Sequence, residues 1–386
     1  MHRVAADPLE IARTRTSAKW RMYEPDVLPL PVAEMDFPLA EPIAKALHDA
    51  VDRSDTGYAA ASRPLAESFA SFALARHAWV VDPTQAISAA DVSTAIIAAL
   101  GAVTAPGDGV VICPPVYPPF FTYPGEVSAR TVEVPLAGGI DGGWALDLPG
   151  LAAAFAAGAT TMVLCNPHNP VGYVPSRAEL AALADLAAAH QVTVIADEVH
   201  GPLTYAGATF TPFLTVSDAA REHGIAITSP SKAFNLAGLK AALIVTDGER
   251  GAAARRRLPY ELEWQVGQFG AIGGIAAWTE GGEWLDGVLT SLDDNRKLLA
   301  TELARVLPGV RYRIPDATYL AWLDLSVLGW GDNPAAHALT RGRVALSPGP
   351  DFGPAAGRGH ARLNFACSPE IVIEALGRLA AAAALS

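Results

Sequence analysis

Between residues 90 and 250 the chain alternates short apolar runs rich in β-branched residues with longer Ala- and Leu-rich stretches. Residues 110–113, 161–165, 192–196, 225–228 and 242–246 are apolar at successive positions rather than at every second one. A strand of that kind must be covered on both faces, so helices are expected on either side of the sheet. The stretch 177–190 places Leu180, Leu183, Ala184 and Ala187 on one helical face. Ser176 stands just before it and Glu179 three residues later, the spacing of a capping box. Units that alternate in this way predict an α/β fold with a mostly parallel, doubly wound sheet.

The rhythm changes after Gly282. A long helical stretch over 283–306 leads to strand-like runs at 310–314 and 319–325, and a helix over 369–384 closes the chain. We therefore expect a large domain over 48–283 and a smaller α+β domain. The latter is formed by 284–386 together with the extended, Pro-rich segment 1–47. Residues 138–143 read as a hairpin tip or surface loop.

Composition narrows the function. The 386 residues are 51% hydrophobic, enough for a large core in two lobes. The formal net charge is −12, and the densest basic run, Arg255-Arg256-Arg257, reads as a solvated helix end. No nucleic-acid partner is expected. Cys113, Cys165 and Cys367 are far apart with no CxxC spacing, which supports neither a metal site nor a disulfide framework. Buried reduced thiols fit a cytoplasmic location. Residues 1–12 contain no apolar h-region, and the apolar stretch 95–105 is too short for a bilayer, so no membrane partner is expected either.

In open α/β sheets ligands bind beyond the carboxyl ends of the strands, which directs attention to 114–117, 166–172, 197–200 and 229–240. In Ser229-Pro230-Ser231-Lys232 a lysine follows an apolar strand between two hydroxyls. Partial desolvation would lower its pKa and make the amine nucleophilic, and the hydroxyls could hold a phosphate. A lysine in a surface loop reads equally well from these residues alone. The run ending in Asp197-Glu198 resembles a Walker B strand, but the chain has no GxxxxGK[ST] loop. Asp197 could instead pair with a protonated ring nitrogen of a heterocyclic cofactor, or simply cap a helix. The segment 165–172 is a turn by composition, and an Asn amide within it could donate to a phenolate oxygen.

The order of motifs carries a resemblance. Asn-Pro-His-Asn-Pro-x-Gly (166–172) is followed by Asp-Glu-Val-His (197–200) and Ser-x-Ser-Lys-x-Phe-Asn-x-x-Gly-Leu-Lys (229–240). Arg-Leu-Asn-x-Ala (362–366) comes last. This order is similar to that of fold-type I enzymes of the class I/II aminotransferase superfamily, which use pyridoxal 5′-phosphate (PLP). Lys19-Trp20, Pro29-Leu30, the run 33–37 (AEMDF), Gly57-Tyr58 and the run 114–117 (PPVY) narrow the resemblance to its C–S β-lyase branch, which includes cystathionine β-lyases.

The resemblance implies a role for each matched residue. Lys232 matches the Schiff-base lysine, and Asp197 matches the carboxylate that keeps the pyridine nitrogen protonated. Asn169 matches the donor to the ring's phenolic oxygen, and His200 stands where many relatives have a tyrosine facing that oxygen. Tyr117 matches the aromatic residue stacked on the ring. Ser229, Ser231 and Lys240 match phosphate-site positions, and Val92, Ser93 and Thr94 lie in the turn whose N–H groups cradle the phosphate. Arg362 matches the arginine that grips the substrate α-carboxylate, with Tyr117 and Asn169 beside the substrate.

Tyr58 matches a tyrosine that reaches the neighbouring subunit's phosphate, which implies a homodimer with active sites at the interface. Tyr58 and Tyr117 are also candidates to protonate a leaving sulfur. Two stretches depart from the branch. Pro31-Val32-Ala33-Glu34 replaces Trp-Val-Ala-Asp, and Ser93 and Thr94 stand where apolar or Gly residues are commoner. The implied reaction is cleavage of cystathionine or related L-cysteine thioethers to a thiol, pyruvate and ammonia. Amino transfer to a 2-oxo acid on the same fold is the alternative.

Overall fold

The computed structural model of the chain describes residues 3–59 and 62–385. Seven strands form the central sheet: β1 (Ala86–Ala89), β2 (Gly109–Ile112), β3 (Arg130–Glu133), β4 (Ala159–Cys165), β5 (Thr193–Asp197), β6 (Gly224–Thr228) and β7 (Ala242–Thr246). Their order is β1-β7-β6-β5-β4-β2-β3. All neighbours are parallel except β7, which runs antiparallel to both β1 and β6. β6 and β7 are buried along their whole length, in keeping with cover on both faces. The helix Arg177–Ala189 forms with the expected capping box, and Leu180, Leu183, Ala184 and Ala187 are its buried face.

β1 and β3 were not expected, and both are edge strands. β3 is exposed or half-buried throughout and so carries little apolar signal, whereas β1 is largely buried but is a four-residue Ala-Ile-Ser-Ala run with only one large apolar side chain. The antiparallel β7 has a larger consequence. Its first residue, Ala242, pairs with Ala89 at the end of β1, so the start of β7 lies at the carboxyl edge of the sheet. Lys240, just before β7, thereby arrives beside Asp91, just after β1.

A second, antiparallel sheet comprises β8 (Arg311–Tyr312), β9 (Leu320–Asp324), β10 (Ser347–Pro348) and β11 (His360–Asn364), in the order β8-β9-β11-β10. The helices Gly282–Val306 and Pro369–Ala383 pack together in this part of the chain. Leu28–Pro29 pairs in parallel with Val344–Ala345, tying the N-terminal segment to it. The helix Glu41–Asp52 instead packs on the helix Gln268–Glu280. A Cβ on Gly273 would press on Leu239 at 3.0 Å while meeting Ile43 at an ordinary 3.7 Å. Residues 137–139 and 143–145 form a short hairpin, with Gly138 at φ +82°.

The segment from Pro31 to Phe37 crosses between the two sheets as a strap. A buried ion pair anchors it: Lys19 Nζ lies 2.7 Å from Asp36 Oδ2, and Trp20 Nε1 donates to Asp36 Oδ1 at 2.9 Å. Both charges are almost wholly removed from water, so each depends on the other. Asn364 Nδ2 donates to the carbonyls of Val32 and Glu34 at 2.7 and 2.6 Å, and Asn235 exchanges two hydrogen bonds with the backbone of Met35. Among the described residues no helix is long and apolar enough to cross a membrane.

Candidate active site

The carboxyl ends of β4, β5 and β6 are in register. Cys165 pairs with Asp197, and Asp197 pairs with Ile227. A cleft of about 310 Å³ opens beyond them, walled by these strand ends, the start of the helix Val92–Val103, the strap and β11. Val92, Ser93, Tyr117, Asn169, Asp197, His200, Ser231, Lys232, Lys240 and Arg362 all line it.

Lys232 sits in a short helix, Pro230–Ala233, directly after β6, and its Nζ donates to Ala33 O of the strap at 3.0 Å. Burial pushes its pKa down to about 8, helped by the nearby Arg362 guanidinium, while Glu34 and Asp197 oppose the shift. The shift enlarges the neutral fraction of the amine near physiological pH, the form a nucleophile or base requires, although the charged form still predominates at pH 7. Asp197 ends β5, and its Oδ1 accepts from Val199 N at 3.2 Å. Burial pushes its pKa up to about 6. A cationic N–H partner would relieve that penalty.

His200 follows in the turn after β5. Burial drives its pKa down to about 3, so the ring is neutral, and its buried Nδ1 has no partner among the described residues. Tyr117 meets Phe120 edge-on at 5.9 Å, and its phenol is pushed up by burial and by the Asp197 charge. Glu198, the second residue of the Asp-Glu pair, is turned into the core, where its Oε1 accepts from Phe213 N at 2.6 Å.

Arg362 on β11 is flanked by Trp322 of β9 and Ser347 of β10. It is 6% exposed. Its Nη1 donates to Asn169 Oδ1 at 3.0 Å, and Nη2 donates to Pro31 O at 2.7 Å and Ser347 Oγ at 3.1 Å. Its Nε is buried without a partner. No carboxylate pairs with it among the described residues, and burial pushes its pKa down to about 10. A buried guanidinium held only by neutral acceptors is a ready site for a carboxylate ligand. The same contact orients Asn169: with Oδ1 facing Arg362, the Nδ2 end is left to donate.

Three expected positions lie elsewhere. Ser229 Oγ donates to Ala241 O at 2.7 Å and accepts from Ser231 N at 3.0 Å, so it caps the lysine's helix and does not line the cleft. Thr94 contributes its N–H to Asp91 Oδ1 at 2.8 Å. Tyr58 is 83% exposed against Trp264, with ring centroids 5.9 Å apart, and does not line the cleft of its own chain. Any reach from Tyr58 to a cofactor would have to be into another chain's site.

Sequence reasoning missed other contributors. Asp91 caps the helix Val92–Val103 and pairs with Lys240 Nζ at 2.9 Å. Burial raises its pKa, but Lys240 and the Thr94 N–H outweigh this and keep it below the usual carboxylate value. The spacing Asp-x-x-Thr was legible as an N-cap, though not as a site residue. Ser347 and Tyr319, whose hydroxyl donates to Ala33 O at 2.9 Å, carried no motif at all.

These features fit PLP. A nucleophilic lysine, a buried carboxylate for a ring N–H and an amide donor for a phenolic oxygen share one cleft. Lys240 and the start of the helix Val92–Val103 line the same cleft, where a cation and free N–H groups would suit a phosphate. Comparison with known proteins agrees. A family model described as aminotransferase class I and II matches residues 25–379. A Mycobacterium leprae protein provisionally named a cystathionine beta-lyase is 42% identical, over 96% of each chain. Cystathionine beta-lyase PatB of Bacillus subtilis is 36% identical over 92% of each. A crystal structure from Corynebacterium diphtheriae, provisionally named a PLP-dependent beta-cystathionase, superposes with a TM-score of 0.93 at 32% identity, covering 99% of each chain.

Proposed function

This chain belongs to the aminotransferase class I and II family, and within it we propose that it is a PLP-dependent C–S β-lyase acting on L-cysteine thioethers such as cystathionine. The observation that carries the reading is the meeting of Lys232, Asp197 and Arg362 in one cleft. Relatives named for cystathionine cleavage support elimination over amino transfer.

When bound, PLP supplies a conjugated ring that takes up the electron pair released at the substrate α-carbon. Asp197 would offer its negative charge to the ring nitrogen and so keep that N–H protonated. Arg362 receives the α-carboxylate in its fork and so fixes which α-substituent faces Lys232. Lys232, as the neutral amine, removes the α-proton. The Cβ–S bond breaks with its electron pair on sulfur, and the thiolate takes a proton from Lys232 or from Tyr117. The remaining enamine hydrolyses to pyruvate and ammonia. The strap covers Lys232 through Ala33 O and Arg362 through Pro31 O, which limits water at the reacting atoms.

The test measures pyruvate release from L-cystathionine without any 2-oxo acid against amino transfer with 2-oxoglutarate. Pyruvate release should dominate. Faster amino transfer across many amino acids, with no pyruvate from any cysteine thioether, would replace the lyase reading by the aminotransferase one.

Arg362→Lys keeps the charge but loses the fork and its contacts to Asn169 and Ser347. Losing one charge-assisted hydrogen bond is worth about 10- to 100-fold, so KM should rise and kcat fall together. A change in KM alone would show that Arg362 does not orient the α-carbon.

The active unit is a homodimer in which Tyr58 serves the partner subunit's phosphate site. Its exposure and distance from its own cleft support this arrangement. Mixing the inactive variants Tyr58→Ala and Lys232→Ala should restore part of the activity through heterodimers. A fully active monomer would refute it.

A further inference from the structure

Ser93 lines the cleft, and the structure supplies its hydroxyl with a partner. Tyr123, 5% exposed, donates from its phenol to Ser93 Oγ at 2.6 Å. Burial pushes the Tyr123 phenol up, which keeps it protonated and a donor. Ser93 lies in the first turn of the helix Val92–Val103 and lines the cleft.

A hydroxyl carries one proton and two lone pairs. With one lone pair occupied by Tyr123, the Ser93 proton is turned away from that ring. Asp91 creates the need for it. As N-cap, Asp91 takes the Thr94 N–H, one of the few free donors the helix could offer a phosphate, and it also draws on Lys240. A serine hydroxyl one residue earlier replaces the lost donor.

We propose that Tyr123 is a positioning residue that, through Ser93, presents a pre-oriented O–H donor to the phosphate of PLP. The proposal rests on the cofactor reading above and assigns to Tyr123 a role beyond packing on Phe120.

The experiment strips the holoenzyme of cofactor and titrates it back with PLP and, separately, with pyridoxal, which lacks the phosphate. Dissociation constants are read from absorbance for wild type, Tyr123→Phe, Ser93→Ala and the double variant. Tyr123→Phe should weaken PLP by about 3- to 10-fold, the worth of one neutral hydrogen bond. Ser93→Ala should weaken it at least as much, and adding Tyr123→Phe to it should change nothing further. Pyridoxal affinity should be the same in all four proteins.

Phe retains the buried ring, and Ser93→Ala makes the same prediction without touching it. An unchanged PLP constant in Tyr123→Phe overturns the proposal. So do additive effects of the two substitutions, or a parallel loss for pyridoxal. If the wild type binds neither compound, the cofactor reading itself falls and takes the proposal with it.

Discussion

Lys232→Ala lowers pyruvate release from L-cystathionine by about 10³-fold or more, to background, because nucleophile and general base are lost together. The variant should also lose the yellow colour of lysine-bound cofactor. Folding is not at issue. A lysine whose folded pKa lies near 8, below its ordinary 10.5, is penalised in its charged form. That penalty is fully felt below about pH 8 and vanishes above 10.5. The cofactor-free Ala variant should therefore melt no lower than wild type at pH 7. In the wild type, capture of PLP should follow the neutral amine. It should rise about tenfold per pH unit up to about pH 8 and level off beyond. Full turnover in the Ala variant would remove Lys232 from the chemistry.

Asp197→Asn is expected to cost about 10²–10³-fold in turnover, the usual price of removing a preorganised charge from a dry site. Its stability signature separates cofactor pairing from mere structure. The folded pKa of about 6 lies above the ordinary 3.8, so ionised Asp197 destabilises the cofactor-free fold once the pH has risen past 6. At pH 8 the cofactor-free Asn variant should thus be at least as stable as wild type. With PLP the order should reverse, because only the carboxylate gains a charged partner. An equal rise in Tm on adding PLP to both proteins would show that Asp197 does not face the ring nitrogen.

Much of this site was legible because its parts are side chains of distinctive chemistry at strand ends. Doubly apolar runs marked β2 and β4 to β7, and Asn169, Asp197 and Lys232 each come at or just after the end of such a run. The hairpin at 137–145 and the capping box of Arg177–Ala189 were readable for the same local reason. The edge strands β1 and β3 were not, since β3 is half-exposed with charged ends and β1 is a short run of small residues around one Ile. Tyr58, which the resemblance assigns to a neighbouring subunit's site, is exposed and does not line the cleft of its own chain.

By itself the sequence determined the layered α/β plan, and the order of its motifs pointed to PLP and to Lys232, Asp197, Asn169 and Arg362 as the residues to find in one cleft. Burial of apolar runs and the reactivity of single side chains are properties of residue type. Only the tertiary structure decided which distant pieces meet. The reversed direction of β7 brought Lys240 to Asp91, and the helix start brought Ser93 within reach of Tyr123. It also chose the strap carbonyls, Ala33 O for Lys232 and Pro31 O for Arg362. Every residue carries the same carbonyl, so no residue letter marks the one that will close the site. That choice belongs to the path of the backbone, held here by the buried Lys19–Asp36 pair and Asn364.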